Sequence, residues 1–260
     1  MMSMIKIKSI KKLRKKYEVT IEEYEGLDDK YFFCEDTIVK YMILKDHEFG
    51  YEDFLSILKE EKAFNSLNLA LNFLSYQSRS EKEIINHLKE KEIESDSIAS
   101  TIKKLKELKY IDDKKLSMDV TKGYANRLKG PNYIKQVLID KGIDNDLINQ
   151  ALDLYDINME IEGITKLALK EKDKYSKYPI KKQKQMLSQK LLNAGFHLSS
   201  INYVIHDLEL NDNSFSQLNK DYQKFLKKYE KLEDVKKKQK IITSLMNKGY
   251  EYSQIKSVIE

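Results

Sequence analysis

The sequence predicts a mainly α protein, an elongated solenoid of four tandem three-helix repeats preceded by a small β-rich N-terminal module. Three observations carry this expectation. Only two Pro and eight Gly occur in 260 residues while Lys, Glu, Leu and Ile abound, a composition that favours helices over a turn-rich β architecture. Apolar residues at i, i+3, i+4 and i+7 mark short, sharply bounded segments. Those segments recur with a period of 50 to 54 residues between positions 64 and 260.

Residues 1–60 lie outside the repeat. "IKIKSI" (5–10) and "YEVTIEEY" (17–24) alternate with period two, "YFFCEDTIVKYMIL" (31–44) supplies further β-prone segments, and Gly26-Leu27-Asp28-Asp29 marks a turn. These features predict a small antiparallel sheet followed by a helix near Tyr51 to Lys59, all within one separate module.

The repeat is clearest at residues 128–143, "LKGPNYIKQVLIDKGI". Pro131 suits the first turn of a helix, where its missing donor is not needed, and Gly142 suits the left-handed residue after the last turn. Between them the apolar residues fall on one face. Ile134, Leu138, Ile143, Ile148 and Leu152 correspond to Ile84, Leu88, Ile93, Ile98 and Ile102, then to Leu187, Leu191, Phe196, Ile201 and Ile205, then to Ile241, Leu245, Tyr250, Ile255 and Ile259. Gly142 is matched by Gly195 and Gly249, whereas the first repeat carries Glu92, which predicts a less tightly closed helix end there. Each repeat reads as a leading helix (Phe64 to Tyr76, or Asp113 to Leu128), the short second helix, and a third such as Asp144 to Tyr155. The repeats divide at 64–112, 113–156, 157–211 and 212–260. Ser80 with Glu83 forms a capping box, and Asp144 caps a third helix. Helices this short are not stable alone, so each repeat must close around its own core.

Few residues suggest chemistry. Cys34 is the single cysteine, which precludes an intramolecular disulfide, and no early apolar run resembles a signal peptide or membrane span. A cytoplasmic protein without membrane contact is expected. His47, His87, His197 and His206 are scattered, and neither a glycine-rich phosphate loop nor a nucleophile elbow occurs. No catalytic residue, metal ligand or cofactor is therefore expected. Asp112-Asp113 reads as a helix cap rather than a metal site. Tyr124, Tyr133 and Phe196 could stack on bases, but their helical spacing also suits packing.

Charge is uneven along the chain. Residues 166–260 hold 20 Lys and 11 acidic residues, a balance of +9, which leaves −4 for residues 1–165 out of the total of +5. The basic runs "KEKDKYSKYPIKKQKQ" (170–185) and "KKYEKLEDVKKKQK" (227–240) suit a phosphate backbone, although interspersed acids are also what a solvated helix face contains. One column of the repeat is basic throughout: Arg79, Lys129, Lys182 and Lys236 stand immediately before the expected second helices. A helix start offers free N–H groups and a positive dipole end, and an adjacent cation would complete a phosphate site. Arg127, Lys181 and Lys237 flank the column and extend this candidate nucleic-acid or filament-binding surface.

"LKELKYIDDKKLSMDVTKGYANRLKGPNYIKQVLIDKGI" (105–143) resembles the RecX family of bacterial recombination regulators at Leu108, Ile111, Asp112, Asp113, Arg127, Gly130, Ile134, Leu138, Lys141, Gly142 and Ile143. "ALNFLSYQSRSEKEIINHL" (70–88) resembles the family's first repeat at Arg79, Ser80, Glu81 and Leu88. The resemblance covers most of residues 64–260. It implies tandem three-helix repeats that bind the RecA recombinase filament on single-stranded DNA, modulate its strand-exchange, ATPase and coprotease activities by occupancy, and bind DNA, with duplex DNA as a second form. A non-enzymatic monomer is expected. A stand-alone, sequence-nonspecific DNA-binding protein and a helical protein-protein scaffold are the alternative readings.

Overall fold

The structure is a computed structural model that describes residues 4–14, 16–22, 28–210 and 214–259. The chain forms two compact units, Met1–Leu116 and Ser117–Glu260. The first unit opens with strands β1 (Met4–Lys12), β2 (Tyr17–Glu22) and β3 (Asp28–Phe33), helix α1 (Glu35–Lys40) and strand β4 (Glu48–Gly50). They make an antiparallel sheet in the order β3-β2-β1-β4. The period-two pattern sets the register: Ile7 faces Ile21 across the β1/β2 pair, and Ile5, Ile7, Val19, Ile21 and Phe33 form the buried face. Of the expected turn, Gly26 and Leu27 lie outside the described residues, while Asp28 and Asp29 belong to β3.

The segment expected to be β-prone through residue 44 turns helical at Glu35. The Cys34 N–H donates to the buried Glu61 carboxylate at 2.9–3.0 Å, and the Thr37 hydroxyl donates to it at 2.5 Å. Glu35 and Asp36 in the first turn and Lys40 in the last complement the helix dipole. Burial raises the Cys34 thiol above its ordinary pKa.

Glu61 belongs to α2 (Tyr51–Leu74), and this helix corrects a second expectation. The helix near 51–59 and the leading helix of the first repeat are one continuous rod, because neither Gly nor Pro interrupts it and "KEEKA" (59–63) is a run of strong helix formers. Its first half packs Phe54 and Ile57 on the sheet; its second half packs Ala70 into the first repeat. Helices α3 (Glu81–Glu90) and α4 (Ser95–Glu107) complete that repeat. There follow α5 (Asp113–Asn126), α6 (Pro131–Asp140), α7 (Asn145–Leu152), α8 (Ile157–Glu171), a 3-10 turn (Lys172–Tyr175), α9 (Ile180–Asn193), α10 (Leu198–Asp207), α11 (Ser214–Lys228), α12 (Asp234–Asn247) and α13 (Tyr252–Ile259). Among the described residues no helix is long and apolar enough to cross a membrane.

Most of the expected core columns are buried, while Ile93, Leu152 and Ile259 are half-buried. Ile84, Leu88, Ile134, Leu138, Leu187, Leu191, Ile241 and Leu245, one pair from each second helix, are at most 2% exposed. The expected caps also form. Ser80 and Glu83 make a reciprocal capping box on α3, and Asp144 accepts from the Asp146 N–H at the start of α7. The acidic pair caps two helices: Asp112 accepts from the Lys115 N–H in α5, and Asp113 accepts from the Glu81 N–H at the start of α3. Burial raises the Asp113 carboxyl above the usual range, offset in part by that hydrogen bond.

Gly142, Gly195 and Gly249 all have positive φ, at 72°, 92° and 99°. Glu92 occupies the same conformation at 58°. Its helix end is closed as firmly as the others, contrary to expectation: the Glu92 N–H donates to Lys89 O at 2.9 Å and the Ile93 N–H to Leu88 O at 3.1 Å, matching the Gly142 and Ile143 bonds at 2.8 and 3.1 Å. The paired carbonyls of the last turn demand this backbone whatever the side chain.

Candidate nucleic-acid interface

Within the second unit the second helices of successive repeats meet end to end. The Gly130 N–H at the start of α6 donates to Ala194 O at 2.8 Å, and the Asn132 N–H donates to Gly195 O at 3.0 Å, so the carbonyl end of α9 is joined to the donor end of α6. A Cβ on Gly130 would lie 2.4 Å from the Gly195 backbone, and one on Gly195 would lie 2.4 Å from Tyr133. Both glycines are required by this contact. The Tyr155 hydroxyl donates to Lys129 O at 3.2 Å, and burial, then the nearby Glu160, pushes its pKa up to about 12. Glu160 is itself buried and accepts from the His197 N–H, His197 Nδ1 and the Ser200 hydroxyl, which fixes the start of α10 beside the junction. At the next junction Gly249, after α12, lies against the Lys182 side chain of α9, and an exposed ion pair joins Lys181 to Glu251 at 3.8 Å.

This geometry alters the chemistry available to the basic column. Arg79 and Lys129 do stand just before α3 and α6, but two of the α6 donors are occupied by carbonyls rather than open to phosphate. Helices α9 and α12 begin one turn earlier than expected, at Ile180 and Asp234, so Lys182 and Lys236 are the third residues of their helices rather than the residues before them. Pro179, with φ fixed near helical values, starts α9 early, and Asp234 in the first turn favours the early start of α12.

The cations are laid on aromatic rings instead. The Lys129 ammonium sits 4.2 Å from the Tyr133 ring centroid, Arg127 lies 5.6 Å from Tyr124, and the two rings are 5.4 Å apart. In the first repeat Arg79 is 4.1 Å from Phe73, whose other neighbour His87 stacks at 4.0 Å, and Arg79 also pairs with Glu83 at 3.6 Å. A cation on a ring presents charge at a fixed place beside a flat apolar surface, the combination that holds phosphate and base together. Lys182 donates to Gln185 at 3.1 Å, Lys236 pairs with Glu233 at 3.4 Å, and Lys237 is half-buried next to it. A further cluster escapes sequence reasoning: Lys228 and Lys240 flank the Tyr229 ring at 5.3 and 6.0 Å. The only signal for it is the run 227–240, because the pairing depends on how α11 and α12 fold back on each other. Among the described residues no group of three or more His, Cys, Asp or Glu side chains is placed to hold a metal ion.

Comparison with known proteins gives these repeats a family. A regulatory protein RecX of Streptococcus agalactiae is 35% identical over 264 residues, an alignment that covers 98% of each chain. The chain belongs to the RecX family. A regulatory protein RecX of Lactococcus lactis is 33% identical over 98% of this chain and 97% of its own, and one of Oceanobacillus iheyensis is 30% identical over 100% and 98%. The model of the RecX first three-helix domain matches residues 67–105, which contain Arg79, and that of the third matches 212–259, which contain Lys236 and Lys237. A crystal structure of regulatory protein RecX superposes with a TM-score of 0.59 at 28% identity, covering 78% of this chain and all of its own. RecX from Lactobacillus salivarius gives 0.54 at 34% identity, covering 57% and 97%. The chain, mostly helical with a small N-terminal antiparallel sheet, thus has RecX proteins as neighbours both in sequence and, over the part superposed, in fold.

Proposed function

We propose that this RecX-family chain binds the RecA recombinase filament on single-stranded DNA and modulates its strand-exchange, ATPase and coprotease activities by occupying the filament, with no catalytic step of its own. The observation that carries this reading is the repetition of a cation seated on an aromatic ring at the start of successive second helices, Arg79 on Phe73 and Lys129 on Tyr133. One such element is a weak phosphate contact; two that recur at the repeat period of the sequence suit a polymer with a regular backbone. Full-length kinship with regulatory proteins supports the same conclusion. The chain acts as a monomer in the cytoplasm, needs no cofactor, and makes its nucleic-acid contacts through Arg79, Arg127, Lys129, Lys181, Lys182, Lys236 and Lys237, on single strands first and duplex second. Titrating the purified protein into a single-strand-dependent RecA ATPase assay tests this: the rate changes at or below one protein per recombinase subunit. Unchanged kinetics at saturation reject it.

The basic C-terminal third favours a second reading, a DNA-binding protein that acts without a filament. Capture of the recombinase from lysate that survives nuclease treatment separates the two, since a stand-alone DNA binder loses its partner with the DNA.

A further inference from the structure

One face of α12 is built as a groove. Lys236, Gln239, Lys240, Thr243 and Ser244 follow i, i+3, i+4, i+7 and i+8 spacing and line it together with Leu232 from the preceding turn. The opposite face of the same helix buries Ile241 and Leu245, so the groove is held on a packed element. Its margin carries Tyr229, whose hydroxyl is hydrogen-bonded to Ser244 at 3.0 Å and whose ring is stacked on Phe225. Lys228 and Lys240 flank that ring, and the Ser244 bond followed by these two ammonium groups lowers the phenol pKa. Glu233 is paired with Lys236 there at 3.4 Å. Both partners are more than 70% exposed, and an ion pair so placed is worth little and exchanges readily for another anion.

We propose that this groove is a binding site for the phosphodiester backbone of single-stranded nucleic acid, with Lys236 and Lys240 on successive phosphates and Tyr229 and Leu232 offering a surface to the unstacked bases. The site deepens the functional reading above by placing the nucleic-acid contact in the fourth repeat, on residues the basic column does not include apart from Lys236. Two ammonium groups one helical turn apart supply point charges without base preference, and the Gln239 amide adds a neutral donor. The aromatic and apolar margin is what distinguishes a single strand from a duplex, whose bases are already stacked.

The test is fluorescence anisotropy of a labelled oligothymidylate with the full chain at several salt concentrations. The double variant Lys236→Gln, Lys240→Gln is compared with Lys220→Gln, Lys224→Gln, which removes the same charge from exposed positions of α11 in the same repeat. Loss of two phosphate contacts lowers the salt slope by about 1.4 and weakens binding roughly tenfold near 0.2 M salt, with convergence toward the parent near 1 M. The control pair stays within about twofold, and unlabelled duplex of equal length competes less well than single strand. Circular dichroism of each variant confirms that the helices persist. Equal losses in both double variants, or a parent that does not bind the oligonucleotide, overturn the assignment. The recombinase ATPase measured alongside keeps the two claims apart: a parent that alters the ATPase while the groove variant binds DNA normally refutes the groove and leaves the regulatory reading standing.

Discussion

At the scale of single residues, two left-handed positions show how one backbone requirement meets opposite surroundings. Glu92 adopts positive φ while carrying a full side chain, whereas Gly195 has both positive φ and a backbone contact that leaves no room for a Cβ. Glu92→Gly is therefore expected to stabilise the protein by about 1 kcal/mol through relief of backbone strain. Gly195→Ala is expected to cost roughly 2–3 kcal/mol, because the added methyl meets Tyr133. Urea unfolding of both variants checks this pair, and a change of the same sign at both sites would contradict it. The sequence column showed that glycine is favoured there; only the packed neighbour shows that the third repeat cannot do without it.

At the scale of elements, the second helices depend on tertiary burial. Leu138 in α6 and Leu191 in α9 are fully buried. Leu138→Ala and Leu191→Ala should each cost about 2–5 kcal/mol, with amide exchange accelerated most in the repeat that carries the change. Near-parental stability of both would undermine the assignment of these columns to cores. Most elements were legible from local signals, because the capping box at Ser80, the Asp144 cap and the apolar columns all lie within a few residues of what they control. The misread elements depend on partners elsewhere. Helix α1 is closed by Glu61, 27 residues away in sequence. The second helices of the third and fourth repeats gain a turn that column alignment places outside them, which moves Lys182 and Lys236 from helix approach to helix body. Continuity of α2 was readable in principle, since "KEEKA" contains no breaker, but the change of pattern from alternating to helical suggested a boundary there.

At the scale of the whole chain, charge is distributed so that anion contacts should be unequal. The cations Arg127 and Lys129 lie in the part of the sequence with a balance of −4, and Lys236 and Lys240 in the part with +9. Changing Arg127 and Lys129 together to Gln should lower the salt slope of single-strand binding by less than about 0.7, under one phosphate's worth, where the fourth-repeat pair removes twice that. Binding isotherms over a salt series decide it, and a larger effect from the Arg127 and Lys129 pair would relocate the main nucleic-acid contact. The candidate site was only partly legible for a related reason: basic residues can be counted in a sequence, but the rings that hold them become neighbours only after helices pack.

The end-to-end contact of α9 with α6 has a consequence for repeat order. A helix start that opens with Gly130-Pro131 accepts the carbonyl end of another helix, since nothing bulky or negative stands in the way. Helix α12 opens instead with Glu233 and Asp234, an acidic start that disfavours incoming carbonyls. The junction chemistry thus works as an address label and a terminator. The repeats cannot be shuffled like interchangeable cassettes, and a segment grafted in front of α12 would have to bring its own positive charge before it could couple there.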